Sequence, residues 1–562
     1  MDIAVIARKW ALQNAVKYEG RANPGAVISK LLGEHPELKA KMNVMGKTIA
    51  EVVASVNSRT KEQQLDELQK TAPELLEEKP KVQTPALKPL KDAVEGKVVM
   101  RFAPSPSGPL HIGHIVALSL NSEYCVNYDG KLILRIEDTN SDNIFPKAYD
   151  MIPEDANWLT SNNVKEVVVQ SSRLEIYYKY AEQLIEMEKA YICTCDSEVW
   201  KELSVNMNPC PCRSLPGKEN LARWRKMFRG YKEGEAVMRI KTDLHDKNPA
   251  MRDWPAFRIN DSPHPMVKDK RVWPLMNFSV AIDDHEFGIT HSIRGKDHVD
   301  NEKRQQFIFK YFDWVLPITL FIGRINFTDL ELSTTQTKLK IEQGEYSGWD
   351  DIRLPFIRSF KRRGYQPAAF RRMSVEMGVS LNDKTVSREE FFKIVNAFNK
   401  ELIDDKANRY FFVANPVEIV VKGAPEFTAS LMLHPDHSER GYRSLNAKGR
   451  FFIAKEDAEH IKKGDSVRLI ECMNIGKNDG FEFVSREYDA HKDKMPLIHW
   501  LPVADNLVDT QLFMPDGSIL SGKSESAVKN LKVGDIIQFE RMGFCRLDSV
   551  ESNTYKFWFA HR

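Results

Sequence analysis

The hydrophobic pattern at the start of the chain has a helical period. Apolar side chains recur every three or four positions among lysines and glutamates: Ile6, Trp10, Ala11 and Ala15, then Ile49, Val52, Val53 and Val56. Residues 72–92 then carry four prolines among charged residues, a composition that is typical of an extended linker. We therefore predict a helical N-terminal domain with its linker over residues 1–94.

Beyond residue 94 the pattern alternates between strands and helices. Residues 97–102 and 131–138 have the character of strands, and a helix is predicted over residues 173–189. Residues 193–270 break this alternation, and residues 288–295 resume it as a strand. Strands and helices in this order predict a parallel α/β sheet that is interrupted by an inserted segment.

The rest of the chain divides into a helical part and a β part. Residues 350–399 are helical and basic, whereas short β-branched stretches separated by Gly, Asp and Asn follow from residue 401 and predict one or two β-barrels. The predicted boundaries after the N-terminal domain are 95–190 and 271–330 for the two halves of the α/β domain, 191–270 for the insert, 331–400 for a loop and helical connector, and 401–562 for the barrels.

Length and composition restrict the class of protein. A chain of 562 residues is too long for one hydrophobic core, so we expect three to five domains. No apolar run is long enough to cross a membrane and no secretory signal pattern is found, which predicts a cytoplasmic protein with no membrane partner. The net charge of +2 does not indicate a nucleic-acid partner, so only local basic clusters could do so.

The most specific motif is RFAPSPSGPLHIGH at residues 101–114. A strand ends, a Ser-Gly-Pro turn follows, and a helix begins with free N–H groups, which is a geometry suited to phosphate. His111 and His114 are three positions apart, so they share one face of the first turn and can donate hydrogen bonds to a reacting phosphate. Two ordinary surface histidines, or a metal pair, are the alternatives for the HxxH spacing alone.

Four of the seven cysteines fall within twenty residues: Cys193, Cys195, Cys210 and Cys212. Two close pairs of thiolates can enclose a tetrahedral zinc ion, and the loop between the pairs is long enough to bring them face to face. The alternative is four reduced thiols without a metal. An odd cysteine count in a chain without a secretory signal argues against a disulfide framework.

Four separated blocks resemble one enzyme family. They are residues 101–114, RIEDTN at 135–140, VWPLMNFSVAIDDHEFGITHSIRGKDH at 272–298, and YSGWDDIRLP at 346–355. Together they resemble the class I aminoacyl-tRNA synthetases in the form used by the glutamyl and glutaminyl enzymes. The helical N-terminal domain and paired barrels resemble the archaeal or eukaryotic branch of that family.

The resemblance implies a fold and an activity. The fold is multidomain α/β, with a Rossmann-like catalytic domain, an inserted domain that holds the tRNA acceptor end, a helical N-terminal domain and C-terminal β-barrels that bind the anticodon. The implied activity is attachment of L-glutamate to tRNA(Glu) through a glutamyl-adenylate, with ATP and Mg2+ consumed as the nucleotide substrate. A structural Zn2+ is common in the insert of related enzymes, and we expect a monomer.

The resemblance also implies roles for individual residues. The amino-acid pocket falls on five positions: Arg101, Ala103, Ser105, Glu137 and Arg294. Glu137 is expected to bind the substrate ammonium, and Arg101 and Arg294 the γ-carboxylate, which a planar guanidinium can bind through two bonds. His111 and His114 are the implied catalytic histidines. Met276 stands where the family usually has an aromatic residue of the pocket.

The nucleotide loop departs from the family pattern. The chain reads LSTTQTKLK at residues 332–340, with Gln336 at the usual lysine position. The second basic position is Lys338, which we take as catalytic, with Lys340 as a possible substitute. The alternative is that both lysines only solvate the loop.

Three further patterns carry weaker expectations. Residues 358–373 contain six Arg or Lys and no acid, so they are predicted to contact tRNA phosphates, with a solvated helix face as the alternative. Tyr442 and Trp500 are expected to be exposed aromatics that stack on anticodon bases. A group of acids and histidines is expected to make structural hydrogen bonds in preference to a metal site: Asp283, Asp284, His285, His291 and His298.

Two other functions compete with the glutamyl enzyme. The glutamine–tRNA ligases have the same fold and chemistry but generally carry a small uncharged residue at the position of Arg294. A tRNA-binding relative that has lost amino-acid activation is motivated by Gln336 and Met276, although the remaining site residues are present.

Overall fold

The computed structural model describes residues 3–17, 20–34, 42–72, 75, 87–330, 332–487 and 495–562. The chain divides into two compact units, Met1–Pro85 and Ala86–Arg562. Most of the proline-rich stretch predicted as a linker lies outside the described residues. No helix in the described ranges is long and apolar enough to span a membrane.

The first unit is a small helical domain. Its interior is formed by apolar side chains from the four helices that its described residues form, including Trp10, Leu31, Val53 and Leu68. The last helix begins with a capping box, in which Thr60 and Gln63 satisfy each other's backbone N–H groups. The helices are α1 (Ile3–Lys17), α2 (Pro24–Glu34), α3 (Met42–Asn57) and α4 (Lys61–Thr71).

The second unit starts with a parallel sheet covered by helices. Its first elements are β1 (Val99–Phe102), α5 (Ile115–Asn127), β2 (Lys131–Ile136), α6 (Ala148–Thr160), β3 (Val164–Val169) and α7 (Leu174–Glu186). Strand β1 pairs with β2 in parallel, and β2 with β3. Five of the six residues of β2 are buried because helices cover both faces.

An antiparallel sheet interrupts this alternation. It has the order β4-β5-β6-β7 and packs on helices through Trp224, Phe257 and Trp273. The elements of this insert are β4 (Ala190–Cys193), α8 (Ser197–Val205), α9 (Gly217–Arg229), β5 (Val237–Ile240), β6 (Pro255–Ile259) and β7 (Val272–Pro274).

The parallel sheet then resumes. The strands β8 and β9 pair in parallel, and the Thr290 N–H donates to the Val99 oxygen, which places β8 beside β1. The parallel order is therefore β3-β2-β1-β8-β9. The elements are α10 (Met276–Glu286), β8 (His291–Gly295), α11 (Val299–Tyr311), β9 (Ile318–Ile322), β10 (Ile325–Phe327) and α12 (Thr334–Glu342).

A helical connector follows, with α13 (Ile357–Arg363), α14 (Pro367–Met377), β11 (Lys384–Val386) and α15 (Arg388–Ile403).

The basic stretch over residues 358–373 lies in α13 and α14. Five of its six cations bind groups of the protein: Arg358 pairs with Asp155, Arg362 with Asp548, Arg363 with backbone oxygens of 559 and 560, Arg371 with Glu123, and Arg372 with Glu401. The expectation that this stretch faces tRNA phosphates is therefore wrong for the buried Arg363, and it stays a prediction for the other cations, four of which also hold the connector to its neighbours.

Two barrel-like seven-stranded sheets complete the chain. The prediction that Trp500 is exposed is wrong. Its ring is buried, and its N–H donates to the Ile470 oxygen at 2.9 Å. Tyr442 is exposed, as expected. The elements are β12 (Arg409–Tyr410), β13 (Phe412–Ala414), β14 (Pro416–Lys422), β15 (Phe427–Met432), β16 (Tyr442–Ala447), β17 (Arg450–Ala454), α16 (Lys455–His460), β18 (Ser466–Leu469), β19 (Met473–Lys477), β20 (Phe481–Ser485), β21 (Leu497–Ile498), β22 (Leu501–Pro502), β23 (Val508–Phe513), β24 (Ile519–Ser524), β25 (Ile536–Phe539), β26 (Gly543–Glu551) and β27 (Thr554–His561).

Candidate active site

A cavity of about 580 Å³ opens where β1, β2 and β8 end. The carboxyl ends of parallel strands are the usual place for a ligand in an open α/β sheet. Seven of the predicted site residues line this one cavity: Arg101, Ala103, Ser105, His111, His114, Glu137 and Arg294. Met276 lines it as well. Lys338 is not among the lining residues.

The two histidines occupy the turn between β1 and α5. The His111 ring accepts the Gly113 N–H at its Nδ1 atom, and the His114 ring accepts the His111 N–H at its own Nδ1. The ring centroids lie 3.9 Å apart. With both Nδ1 atoms acting as acceptors, each neutral ring carries its proton on Nε2, so each can donate one hydrogen bond.

Burial keeps both rings neutral. It lowers the pKa of His111 to about 4, and it holds the pKa of His114 well below the usual value, with the neighbouring His111 adding to the effect. The pair therefore acts at neutral pH as two N–H donors and not as two cations.

The histidine turn is paired at its edge with residues 355–357. The Ile112 N–H donates to the Pro355 oxygen and the Ile357 N–H to the Leu110 oxygen, both at 2.9 Å. The Asp155 carboxylate accepts the Leu110 N–H at 3.1 Å and pairs with Arg358. The backbone that carries the histidines is thus fixed from two sides.

Four charges at the back of the cavity, two arginines and two acids, neutralise one another. Asp284 accepts two hydrogen bonds from Arg101, at 3.0 and 3.1 Å, and one from Arg135 at 2.6 Å. Burial alone would raise the pKa of Asp284, but the two guanidinium groups hold it at about 2. Arg135 also donates to Glu137 at 3.0 Å, which fixes that carboxylate at the cavity wall. Arg101 therefore reaches the cavity with a charge that Asp284 already compensates.

Among the described residues, Arg294 is the buried cation of this cavity that has no acidic partner. Its guanidinium makes one side-chain hydrogen bond, from Nη1 to the Gln305 oxygen at 2.9 Å, and no carboxylate within the described ranges lies within 4.0 Å of it. Burial and the nearby charge of Arg101 lower its pKa to about 10, so it remains protonated at neutral pH. Within the described residues Arg294 forms no ion pair with Asp283, Asp284 or Asp297, so its charge is not used in a purely structural pair.

The acids and histidines considered as a metal group have other partners. Asp283 accepts hydrogen bonds from Gln170, Arg173 and Tyr177, all at 2.8 Å. Asp284 is occupied by the arginines, and the His285 ring stacks on Trp314 at 3.6 Å. These groups support the tertiary structure of the sheet.

The predicted nucleotide loop lies beside the histidine turn. Helix α12 begins there, with Ser333 accepting the Gln336 N–H. Gly108 of the turn lies so near this helix that a Cβ atom would be 2.8 Å from the Thr334 methyl group, so a side chain at this position would have to displace that methyl group. Lys338 projects over the Phe145 ring at 5.7 Å, close to the turn but outside the cavity, and Gln336 is exposed.

The four clustered cysteines converge in the insert. The Sγ atoms of Cys193 and Cys210 are 3.9 Å apart, those of Cys195 and Cys212 are 3.8 Å apart, and all four lie within 4.8 Å of one another. Four thiolates around zinc at about 2.3 Å stand roughly 3.8 Å from each other, so the observed spacing fits a tetrahedral ion. Arg223 donates to the Cys212 sulfur at 3.4 Å, which suits the negative charge of such a centre.

Gln305 and Asp155 were missed by the sequence analysis. Gln305 lies on α11 in line with the buried Ile308 and Phe309, and a polar residue on an apolar helix face is a signal that could have found it. Asp155, buried on α6 beside Ala156 and Ile152, gives a similar signal.

With the fold and cavity described, the comparisons with known proteins identify the family. A family model described as tRNA synthetases class I (E and Q), catalytic domain, matches residues 97–405. Models of two anti-codon binding domains of the same class match residues 407–483 and 479–548. The chain therefore belongs to the class I tRNA synthetases of the E and Q type, and the predicted fold class is confirmed.

Relatives with names indicate which members of this family the chain is similar to. The glutamate–tRNA ligase of Pyrococcus abyssi is 46% identical over 579 residues, and that of Methanobrevibacter smithii is 44% identical over 566 residues. In both comparisons all of this chain and all of the relative are covered. A crystal structure of a glutamate tRNA ligase from Elizabethkingia meningosepticum in complex with its amino acid is 20% identical, with a TM-score of 0.40, over 56% of this chain and 70% of that one. The predicted resemblance to the archaeal enzymes is confirmed.

Proposed function

We propose that the protein attaches L-glutamate to tRNA(Glu) with ATP, through a glutamyl-adenylate. The observation that carries the choice of amino acid is Arg294, a protonated guanidinium at the cavity wall without an acid of its own. A buried cation of this kind favours an anionic ligand, because a carboxylate supplies the charge-assisted hydrogen bonds that the protein leaves unmade.

The reaction needs positioning and charge stabilisation more than a protein nucleophile. The glutamate carboxylate attacks the α-phosphate of ATP, pyrophosphate leaves, and the tRNA terminal hydroxyl then attacks the mixed anhydride. In our proposal the Nε2–H groups of His111 and His114 donate to the phosphate as its charge develops, which is where such donors lower the barrier most. Mg2+ enters with the phosphates of ATP as part of that substrate.

The amino acid is proposed to lie between two walls of the cavity. Glu137 faces the substrate ammonium, with its carboxylate oriented by Arg135 at 3.0 Å. Arg294 and Arg101 face the γ-carboxylate, Arg101 with a charge that Asp284 already compensates, and Ala103 and Ser105 also line the cavity. Met276 replaces an aromatic wall with a flexible apolar one.

A pyrophosphate-exchange assay with ATP and tRNA tests the proposal against its two alternatives. A glutamate–tRNA ligase exchanges with glutamate and charges tRNA(Glu). A glutamine–tRNA ligase exchanges with glutamine, and a relative without activation exchanges with neither amino acid. Either of the last two results would contradict the proposal.

Zinc is proposed to hold the insert together through Cys193, Cys195, Cys210 and Cys212. The ion would contribute directly to local folding, because the loops that carry its ligands have only a small apolar core. We expect about one zinc per chain by metal analysis, with Cys210→Ser releasing it and impairing aminoacylation more than ATP binding. The matched change Cys472→Ser, at a buried thiol of the first barrel, should keep the metal. Carefully prepared protein with less than about a tenth of an equivalent would contradict the zinc site.

We propose that Lys338 supplies the positive charge that stabilises the ATP phosphates, because Gln336, at the usual lysine position, is uncharged. A cation on a loop matters most while pyrophosphate is leaving, so its loss should lower the activation rate more than the affinity for ATP. We expect Lys338→Ala to lower activation by about tenfold or more, with Lys340→Ala milder. Normal activation by Lys338→Ala would assign this task to Lys340 or to the backbone.

The remaining assignments concern tRNA and the cell. We propose that the insert over residues 191–270 holds the acceptor end and that the barrels over residues 401–562 bind the anticodon. The protein is further proposed to be a cytoplasmic monomer, which sedimentation and cell fractionation would test.

A further inference from the structure

Two buried arginines of the cavity are anchored in opposite ways. Arg101 is held by the carboxylate of Asp284 through two bonds, which cancels its charge. Arg294 is held by the amide oxygen of Gln305 at 2.9 Å, which orients the guanidinium and leaves its charge intact. Both anchors are buried, so neither is weakened by water.

The orientation of the Gln305 amide follows from its partner. A guanidinium can only donate hydrogen bonds, so the amide oxygen must face Arg294 and the amide nitrogen must face away. That nitrogen lies 3.3 Å from the side-chain amide of Asn277. Asn277 in turn contacts the side chain of Asn301 at 3.3 Å.

The groups behind Arg294 are therefore neutral amides. Asn301 continues the contacts to the Nδ1 atom of His298 at 3.0 Å and to Arg304 at 3.1 Å. Within the part of the chain that the structure describes, none of the three amides in this row bonds to an acid. The acids nearest in the fold, Asp284 and Glu137, are already paired with Arg101 and Arg135. The row fixes Arg294 from behind without offering it a counter-charge.

We propose that Gln305 is a positioning residue that sets the preference for glutamate over glutamine. An acid at this place would neutralise Arg294 before any substrate arrived, whereas an apolar residue would leave the guanidinium without an anchor. The neutral amide does neither, so the charge of Arg294 is both fixed in place and available to a γ-carboxylate. The inference rests on the proposed role of Arg294 in amino-acid binding.

The test is the isosteric change Gln305→Glu, which keeps the shape and adds a carboxylate beside Arg294. We expect the ratio of glutamate-dependent to glutamine-dependent pyrophosphate exchange, measured with tRNA present, to fall by at least about tenfold. The fall should appear mainly as a higher KM for glutamate, with the KM for ATP unchanged, because only the amino-acid subsite is altered. A purely structural role would change both KM values or neither.

Two further variants keep the result interpretable. Gln305→Met retains the charge of Arg294 and removes the acceptor, so it should raise the KM for glutamate and lower the ratio less than Gln305→Glu does. Gln183→Glu makes the same change on α7, outside the cavity lining, and should leave the ratio unchanged. If Gln305→Glu does not fold, a ratio in Gln305→Met equal to that of the wild type overturns the proposal.

The result for Arg294→Ala distinguishes failure of the proposed role of Arg294 from failure of the inference about Gln305. If Arg294→Ala lowers the ratio and Gln305→Glu does not, Gln305 has no part in selection and the inference is wrong. If Arg294→Ala leaves the ratio unchanged, the role of Arg294 itself fails, and the inference about Gln305 fails with it. A lower ratio in both variants supports both statements.

Discussion

Arg294→Ala should abolish most glutamate activation and most of the preference for glutamate over glutamine. The two amino acids have nearly the same shape, so a pocket must discriminate between them by charge. The guanidinium gains a charge-assisted pair with a γ-carboxylate, and it loses solvation without compensation when it faces a neutral amide. That asymmetry is worth a few kcal/mol, about a hundredfold or more in relative kcat/KM.

The measurement is activation of both amino acids by wild type and variant, with ATP binding as the control for folding. Lys296→Ala, which removes a cation at the end of β8 that pairs with Asp383, is the matched control and should keep the preference. An Arg294→Ala variant that binds ATP and still prefers glutamate would reduce Arg294 to a structural residue. The case against a glutamine enzyme would then lose its main support.

Loss of the histidine donors should have the second large effect. Each ring offers one Nε2–H to the phosphate, and removing a preorganised donor of this kind costs about a hundredfold or more in rate. We expect His111→Ala and His114→Ala each to lower the activation rate by about that factor, with a smaller change in the KM for ATP. Equal rates in variant and wild type would contradict a catalytic role for the ring concerned.

The pH dependence gives an independent check on the same pair. With the pKa of His111 lowered to about 4, the ring is neutral above roughly pH 5, and the ring of His114, also shifted downwards, behaves alike. Activation should therefore show no break from the histidines between about pH 5.5 and 7.5. A break near pH 6.5 that disappears in His111→Ala would show that the ring titrates normally and acts as a cation.

The sequence predicts those parts of the protein whose chemistry is carried by residues close together in the chain. The turn at residues 101–114, the strand that carries Arg294 and the paired cysteines each show their chemistry within a short segment. The basic connector shows the opposite case, because the partners of Arg358, Arg362 and Arg363 lie up to 207 positions away along the chain. A run of cations without acids predicts a phosphate surface until those distant partners are known.

The wrong prediction for Trp500 has a related cause. Trp500 belongs to a short connection between β21 and β22, where no alternating pattern is long enough to tell an inner from an outer face. Its burial depends on how β17 and the Ile470 oxygen close over it. The sequence analysis missed Gln305 because Gln305 lies on α11 and its partner, Arg294, lies on a separate element, β8.

The pairing of the histidine turn with residues 355–357 has a consequence for how the gene can be cut and recombined. Helix α13 begins at the end of that pairing, and its Arg362 and Arg363 bind Asp548 and the backbone oxygens of β27. A fragment that stops before residue 355 would remove the backbone partners of the turn. A chimera that exchanges only the second barrel would take the Asp548 carboxylate away from Arg362 and alter the backbone edge to which the buried Arg363 donates. The catalytic half and the last barrel are therefore not independent modules, and α13 has to be inherited together with the barrel on which it docks.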